Sequence, residues 1–141
     1  MEREIASMSE MPPRASETMT RWVELNGLHD VELLKALGER FGLHPLALED
    51  VLNVGQRPKV EAYEDHIFII VQMFYHDDSG GLCAEQVSMF LMKDMLITIQ
   101  EDAEADVFDP VRERLRGGRG FIRKSGPDYL AYALIDAVID H

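Results

Sequence analysis

His66 to His76 reads HIFIIVQMFYH, a run in which both alternating faces are apolar over most of its length. A strand with one solvated face alternates apolar with polar. Continuous hydrophobicity of this kind argues instead for a central strand covered on both sides. The rest of the chain is therefore read outward from this stretch, for the elements that could cover it.

Toward the amino terminus, Lys59 to Glu64 forms a short strand, and Thr20 to Asn26 (TRWVELN) a further strand ending at Gly27. Between them Asp30 offers an N-cap, and Val31, Leu34, Leu37 and Phe41 recur at helical spacing until Gly42. Toward the carboxyl terminus, Asp77 to Gly81 (DDSGG) is a turn, and Gln86 to Met92 with Met95 to Gln100 form a hairpin around Lys93 and Asp94. Asp109 and Pro110 read as an N-cap and first helical residue, opening a helix to about Arg116 that Gly117 and Gly118 close. Asp128 caps the last helix, DYLAYALIDAVIDH. Helices before, within and after a run of strands predict the α/β class: an α/β/α sandwich with a mixed, largely antiparallel central sheet and helices on both faces. Residues 1–19, with Pro12, Pro13 and scattered Ser, Glu and Met, read as a flexible tail, which leaves 20–141 as one domain.

Twenty-six acidic residues against 14 basic ones give a formal net charge of -12, which repels nucleic acid and anionic lipid and attracts cations. Nucleic acid is not an expected partner. The single Cys83 cannot form an internal disulfide, and Met1 to Glu17 has no apolar core of a secretory signal. The longest apolar candidates, Ile67 to Tyr75 and Tyr129 to Ile139, are too short or too polar to span a bilayer, so this fragment reads as soluble.

A second stretch, FGLHPLALEDVLNVGQRPKVE from Phe41 to Glu61, carries the chemistry. Gly42 ends the preceding helix, Pro45 suits a first helical position, and Pro58 prevents a return to helix, so a short helix spans about Pro45 to Asn53. At 100 degrees per residue, Ala47, Leu48, Val51 and Leu52 fall on one side, and Glu49, Asp50 and Asn53 on the other with Leu46 among them. An apolar side chain centred on an acidic face suggests that the face meets a neighbour. Two carboxylates at such a contact repel by about 4 kcal/mol at ~4 Å and an effective dielectric near 20, a penalty that a cation removes.

In the last helix Asp128, Tyr129, Tyr132, Asp136 and Asp140 share one third of the circumference, and nearly everything else is apolar: a buried helix with one polar stripe. Asp136 and Asp140 form an i, i+4 like-charge pair at the unfavourable end of the helix dipole. No Gly, Asn or Pro follows Val138, so the periodicity suggests a cut inside a longer helix. Arg112, Arg114, Arg116, Arg119, Arg123 and Lys124 form a basic cluster, read as dipole-complementing charge and a solvated loop, as partners for acidic groups elsewhere in an assembly, or, third, as a phosphate site, for which no Gly-rich loop follows a strand. The five histidines lack metal-ligand spacing, and no nucleophile elbow of GxSxG type occurs, so the sequence yields no catalytic site.

Six motifs in order, GLHD (Gly27 to Asp30), LGERFGLHPLALEDVLN (Leu37 to Asn53), QRPKVE (Gln56 to Glu61), EQVS (Glu85 to Ser88), DVFDPVRERLR (Asp106 to Arg116) and DYLAYALIDAVID (Asp128 to Asp140), resemble the amino-terminal cytoplasmic domain of the CorA family of magnesium transporters. The resemblance implies a homopentameric channel carrying Mg²⁺, and often Co²⁺ or Ni²⁺, in which the last helix leads to a stalk helix, two membrane spans and a Gly-Met-Asn pore motif. It implies a non-enzymatic role for this fragment on the cytoplasmic side of the cell (inner) membrane: it cannot itself conduct ions and would act as the regulatory sensor. By motif, Glu49, Asp50 and Asp136 match the family's intersubunit regulatory Mg²⁺ ligands, the remaining carboxylate belonging to the absent stalk. Two other readings compete: a stand-alone metal-dependent α/β enzyme with Glu49, Asp50 and Asp136 converging in one cleft, and a metal-independent interaction module.

Overall fold

The computed structural model describes Glu4 and residues 20–28, 30–101, 107–118 and 126–140. The expected tail over 1–19, Glu4 apart, lies outside the described residues, as do Arg119, Arg123 and Lys124 of the basic cluster. In chain order the elements are β1 (Arg21–Asn26), α1 (Val31–Phe41), α2 (Pro45–Leu52), β2 (Lys59–Ala62), β3 (Ile67–His76), β4 (Leu82–Leu91), β5 (Met95–Gln100), α3 (Asp109–Arg116) and α4 (Pro127–Ile139).

The stretch that predicts a doubly covered sheet is β3, paired on one side with β2 and on the other with β4. Its alternate residues enter two separate cores. Phe68 and Ile70 pack with Leu34 and Leu37 of α1, Ala47 and Val51 of α2, and Ile97 and Ile99 of β5. Ile69 and Met73 pack with Phe108, Val111 of α3, and Leu130, Leu134 and Val138 of α4. On the α1/α2 face full burial ends at Ile70 and Phe74 is 57% exposed, whereas on the other face it runs to Met73 and half-buried Tyr75 still packs against that core. The strand order is β1-β5-β4-β3-β2, with β1 parallel to β5 and the other three pairings antiparallel, so the sheet is mixed and largely antiparallel as expected. The Trp22 indole N–H donates to Thr98 Oγ1 at 2.9 Å, fixing β1 against β5 in the α3/α4 layer.

Local signals place the elements with three corrections. Asp30 caps α1 as expected, its carboxylate accepting from the Leu33 N–H at 3.0 Å, and Gly42 terminates the helix at φ 68, a left-handed conformation that glycine adopts without a Cβ clash. Asp128 is not the cap of α4: Gly126 holds that position and Pro127, with its fixed φ, opens the helix, so Asp128 sits inside the first turn. Asp109 is likewise the first helical residue of α3, with Phe108 preceding it and no side-chain cap. β4 begins at Leu82, four residues before the expected Gln86, because Leu82–Glu85 (LCAE) has little strand propensity of its own and is recruited by pairing with Met73–His76.

Candidate functional site

Helix α2 is held at its amino end by a column of rings. His44 caps it, Nδ1 accepting from the Leu46 N–H at 3.1 Å, while the His44 backbone N–H donates to Nε2 of buried His66 at 3.4 Å. Tyr63 stacks between the two imidazoles, at 4.4 Å from His44 and 5.0 Å from His66. Along the helix, Ala47 and Val51 turn into the core, and Gly38 of α1 gives Leu48 room: a Cβ at Gly38 would lie 2.5 Å from Leu48 Cδ1. Glu49 is exposed, and Leu46 beside it is 58% exposed, so the apolar residue does sit on the acidic face. Leu52, expected to face inward, is 40% exposed, because Val51 takes the inward position of the last turn.

Asp50 is half-buried and has both oxygens engaged. Oδ1 accepts from Gln56 Nε2 at 3.0 Å, and Oδ2 from Lys59 Nζ at 2.6 Å. Lys59, on β2, also reaches Glu61 Oε1 at 2.6 Å, and Glu61 Oε2 accepts from the Tyr63 hydroxyl at 3.0 Å. A chain of charge thus runs from α2 along β2 to the aromatic column. The hydrogen bond from the Lys59 ammonium, then that from Gln56, holds the Asp50 carboxyl below the usual carboxylate range. Bonding to Asp50, then Glu61, raises Lys59. The loop between α2 and β2 is pinned by amides: Gln86 Nε2 donates to the Asp50 carbonyl at 3.1 Å, Gln86 Oε1 accepts from the Gln56 N–H at 3.1 Å, and Gln72 Nε2 donates to the Gln56 carbonyl at 2.6 Å. None of these partners of Asp50 was read from the sequence. No local signal points to them: Pro58 favours an extended start for β2 but does not set the turn that carries Lys59 back to α2.

Asp136 stands in the other layer. It is exposed on α4, on a line with exposed Asp128, Tyr132 and Asp140, and Ile139, expected among the buried apolar residues, is 74% exposed beside it. The sheet therefore separates Glu49 and Asp50 from Asp136 within one chain. Among the described residues no group of three or more His, Cys, Asp or Glu side chains is placed to hold a metal ion, so the single-chain cleft of the enzyme reading is not formed by these three carboxylates. Their donor chemistry fits a hard, oxygen-preferring cation such as Mg²⁺, which keeps several waters and needs few carboxylates, but one chain supplies only part of a shell. Two described members of the basic cluster are paired within the chain: Arg112 with Glu24 and Asp109, and Arg116 with Glu113.

Comparison with known proteins bears on the fold and the family of this domain. Residues 17–141 match the model of a family described as CorA-like Mg2+ transporter protein. The chain is 50% identical over 133 residues to the cobalt/magnesium transport protein CorA of Thermotoga maritima, covering 94% of this chain and 37% of that protein, and 30% identical over 119 residues to the putative metal ion transporter YfjQ of Bacillus subtilis, covering 84% and 35%. It thus spans little more than a third of the length of these relatives. Among solved structures, the soluble domain of CorA from Methanocaldococcus jannaschii superposes with a TM-score of 0.65 at 20% identity over 83% of this chain and 46% of that one, and the ZntB cytoplasmic domain of Vibrio parahaemolyticus with 0.66 at 14% over 83% and 46%; these share the fold. No helix among the described residues is long and apolar enough to cross a membrane. With the family model covering nearly the whole chain, the protein belongs to the CorA-like Mg²⁺ transporter family, a family of transporters rather than enzymes.

Proposed function

We propose that this chain, residues 20–141 above all, is the cytoplasmic regulatory domain of a longer divalent-cation transporter, and that it senses Mg²⁺ through Glu49 and Asp50 of one copy facing Asp136 of the next. The observation that carries the reading is the placement of these carboxylates on opposite faces of one domain, beside exposed Leu46 and Ile139 respectively. An arrangement of that kind completes a site head to tail around a ring, and heterologous contacts of this type close into cyclic oligomers such as the family's homopentamer. The transported ions would be Mg²⁺ and Co²⁺, the cations named for the Thermotoga relative, with Ni²⁺ a further candidate.

Facing carboxylates repel one another in the absence of a counter-charge, and Mg²⁺ supplies that charge. The domains are held together when internal Mg²⁺ is plentiful and loosen when it falls, which opens the pore carried by the rest of the transporter. One site is too weak to do this. At half saturation a site contributes about 0.4 kcal/mol, whereas moving an equilibrium from 1:99 to 99:1 needs roughly 5.5 kcal/mol. At a concentration tenfold above Kd each site contributes about 1.4 kcal/mol, and five together about 7 kcal/mol, which is enough.

Limited proteolysis of the full-length protein tests the reading. Mg²⁺ should protect the wild type, and Asp50→Ala and Asp136→Ala should each weaken that protection. Unchanged protection in both variants would sink the assignment.

A further inference from the structure

Lys59 does more than neutralise a carboxylate. Its ammonium lies 2.6 Å from Asp50 Oδ2 and 2.6 Å from Glu61 Oε1, where a bound cation would otherwise bridge two acidic groups. The second Asp50 oxygen is taken by Gln56. All three charged side chains are between a quarter and two fifths exposed, so the ammonium is exchangeable with ions from solvent.

We propose that Lys59 is a tethered counter-cation that competes with Mg²⁺ for Asp50 and so lowers the affinity of the regulatory site. The inference rests on the reading of Asp50 as a Mg²⁺ ligand. A carboxylate with no partner would hold Mg²⁺ more tightly and stay loaded as the ion fell. A carboxylate already paired with an intramolecular ammonium releases Mg²⁺ at a higher concentration, because Lys59 returns to Oδ2 whenever the ion leaves. Glu61 keeps hold of Lys59 during the exchange, so the ammonium moves between two nearby carboxylates and is not lost to solvent.

The test is the Mg²⁺ concentration giving half-maximal protease protection of the full-length protein. Lys59→Met keeps the aliphatic stem and removes the charge; Lys59→Gln is a second version should the first fold poorly. Either should lower the midpoint about three- to fivefold, the upper worth of a partly exposed ion pair. Arg57→Met, which removes an exposed charge two residues away, should leave it within about twofold. Asp50→Asn should raise the midpoint, and Lys59→Met should add nothing in that background. An unchanged or raised midpoint in the Lys59 variants, with Asp50→Asn still raising it, overturns the role of Lys59 and leaves Asp50 as a ligand. An equal fall in Arg57→Met overturns it too, since the effect would then be one of general charge. If Asp50→Asn leaves the midpoint where it was, the reading of the site falls first, and this inference with it.

Discussion

Arg112 on α3 grips Glu24 on β1, 88 residues earlier in the chain, with Nε donating to Oε2 at 3.0 Å and Nη2 to Oε1. The guanidinium also lies 5.8 Å from the centroid of the Trp22 ring, so one side chain ties the helix to the edge strand by a forked ion pair and by stacking. The largest basic cluster in the chain thus begins as a structural clamp.

Removing that clamp should be costly. Arg112→Ala leaves Glu24 with its charge in a largely covered position and is expected to destabilise the domain by about 2 to 3 kcal/mol, somewhat less than the loss of one partner of a fully buried pair. Glu24→Gln, which keeps a hydrogen-bond acceptor, should cost less. Urea unfolding midpoints of the two variants give the comparison; equal, negligible shifts would contradict it.

His44 makes a prediction about α2 itself. Loss of its Nδ1 bond to the Leu46 N–H in His44→Ala should cost about 1 kcal/mol, and His44→Asn, which can cap, should recover much of it. His44→Asn no more stable than His44→Ala in thermal unfolding would show that the stacked ring, and not the cap, fixes this helix.

Asp50 sets a dependence on pH. Its folded carboxyl is held below the usual range, chiefly by Lys59, so the folded state binds fewer protons than the unfolded one as the solution is acidified. The stability it contributes is present from neutral pH down to about pH 4 and is lost as the pH falls through the lower folded value. Subtracting the unfolding free energy of Asp50→Asn from that of the wild type should give a positive difference at pH 7 that shrinks below about pH 4. A difference that is flat or grows in acid contradicts the pairing.

Much of this was legible in the residues, for reasons that differ from one element to the next. HIFIIVQMFYH announced a doubly covered strand because both of its faces had to be satisfied, and Gly42 and Pro45 marked helix ends because glycine reaches the left-handed turn that closes a helix and proline fixes φ at its start. Asp128 misled because a good capping side chain was outranked by the proline before it. Lys59 was missed as the partner of Asp50 since nothing local specifies the turn that brings β2 beside α2; Gln72 and Gln86, on strands, pin that turn from across the fold. Nothing in the residues around Asp50 and Asp136 says which face of the sheet each takes. Their opposite faces became visible once the two cores were separated by the sheet.

The central claim, that the carboxylates of one copy complete the site of another, is tested most directly by mixing. Asp50→Ala and Asp136→Ala full-length chains are co-expressed, and mixed assemblies are purified on two tags and titrated with Mg²⁺ under limited proteolysis. A shared site predicts partial rescue: where the intact Asp50 of one variant meets the intact Asp136 of the other, protection returns and its midpoint falls between the wild type and either variant alone. Mixed assemblies no better protected than the two pure variants would contradict the account.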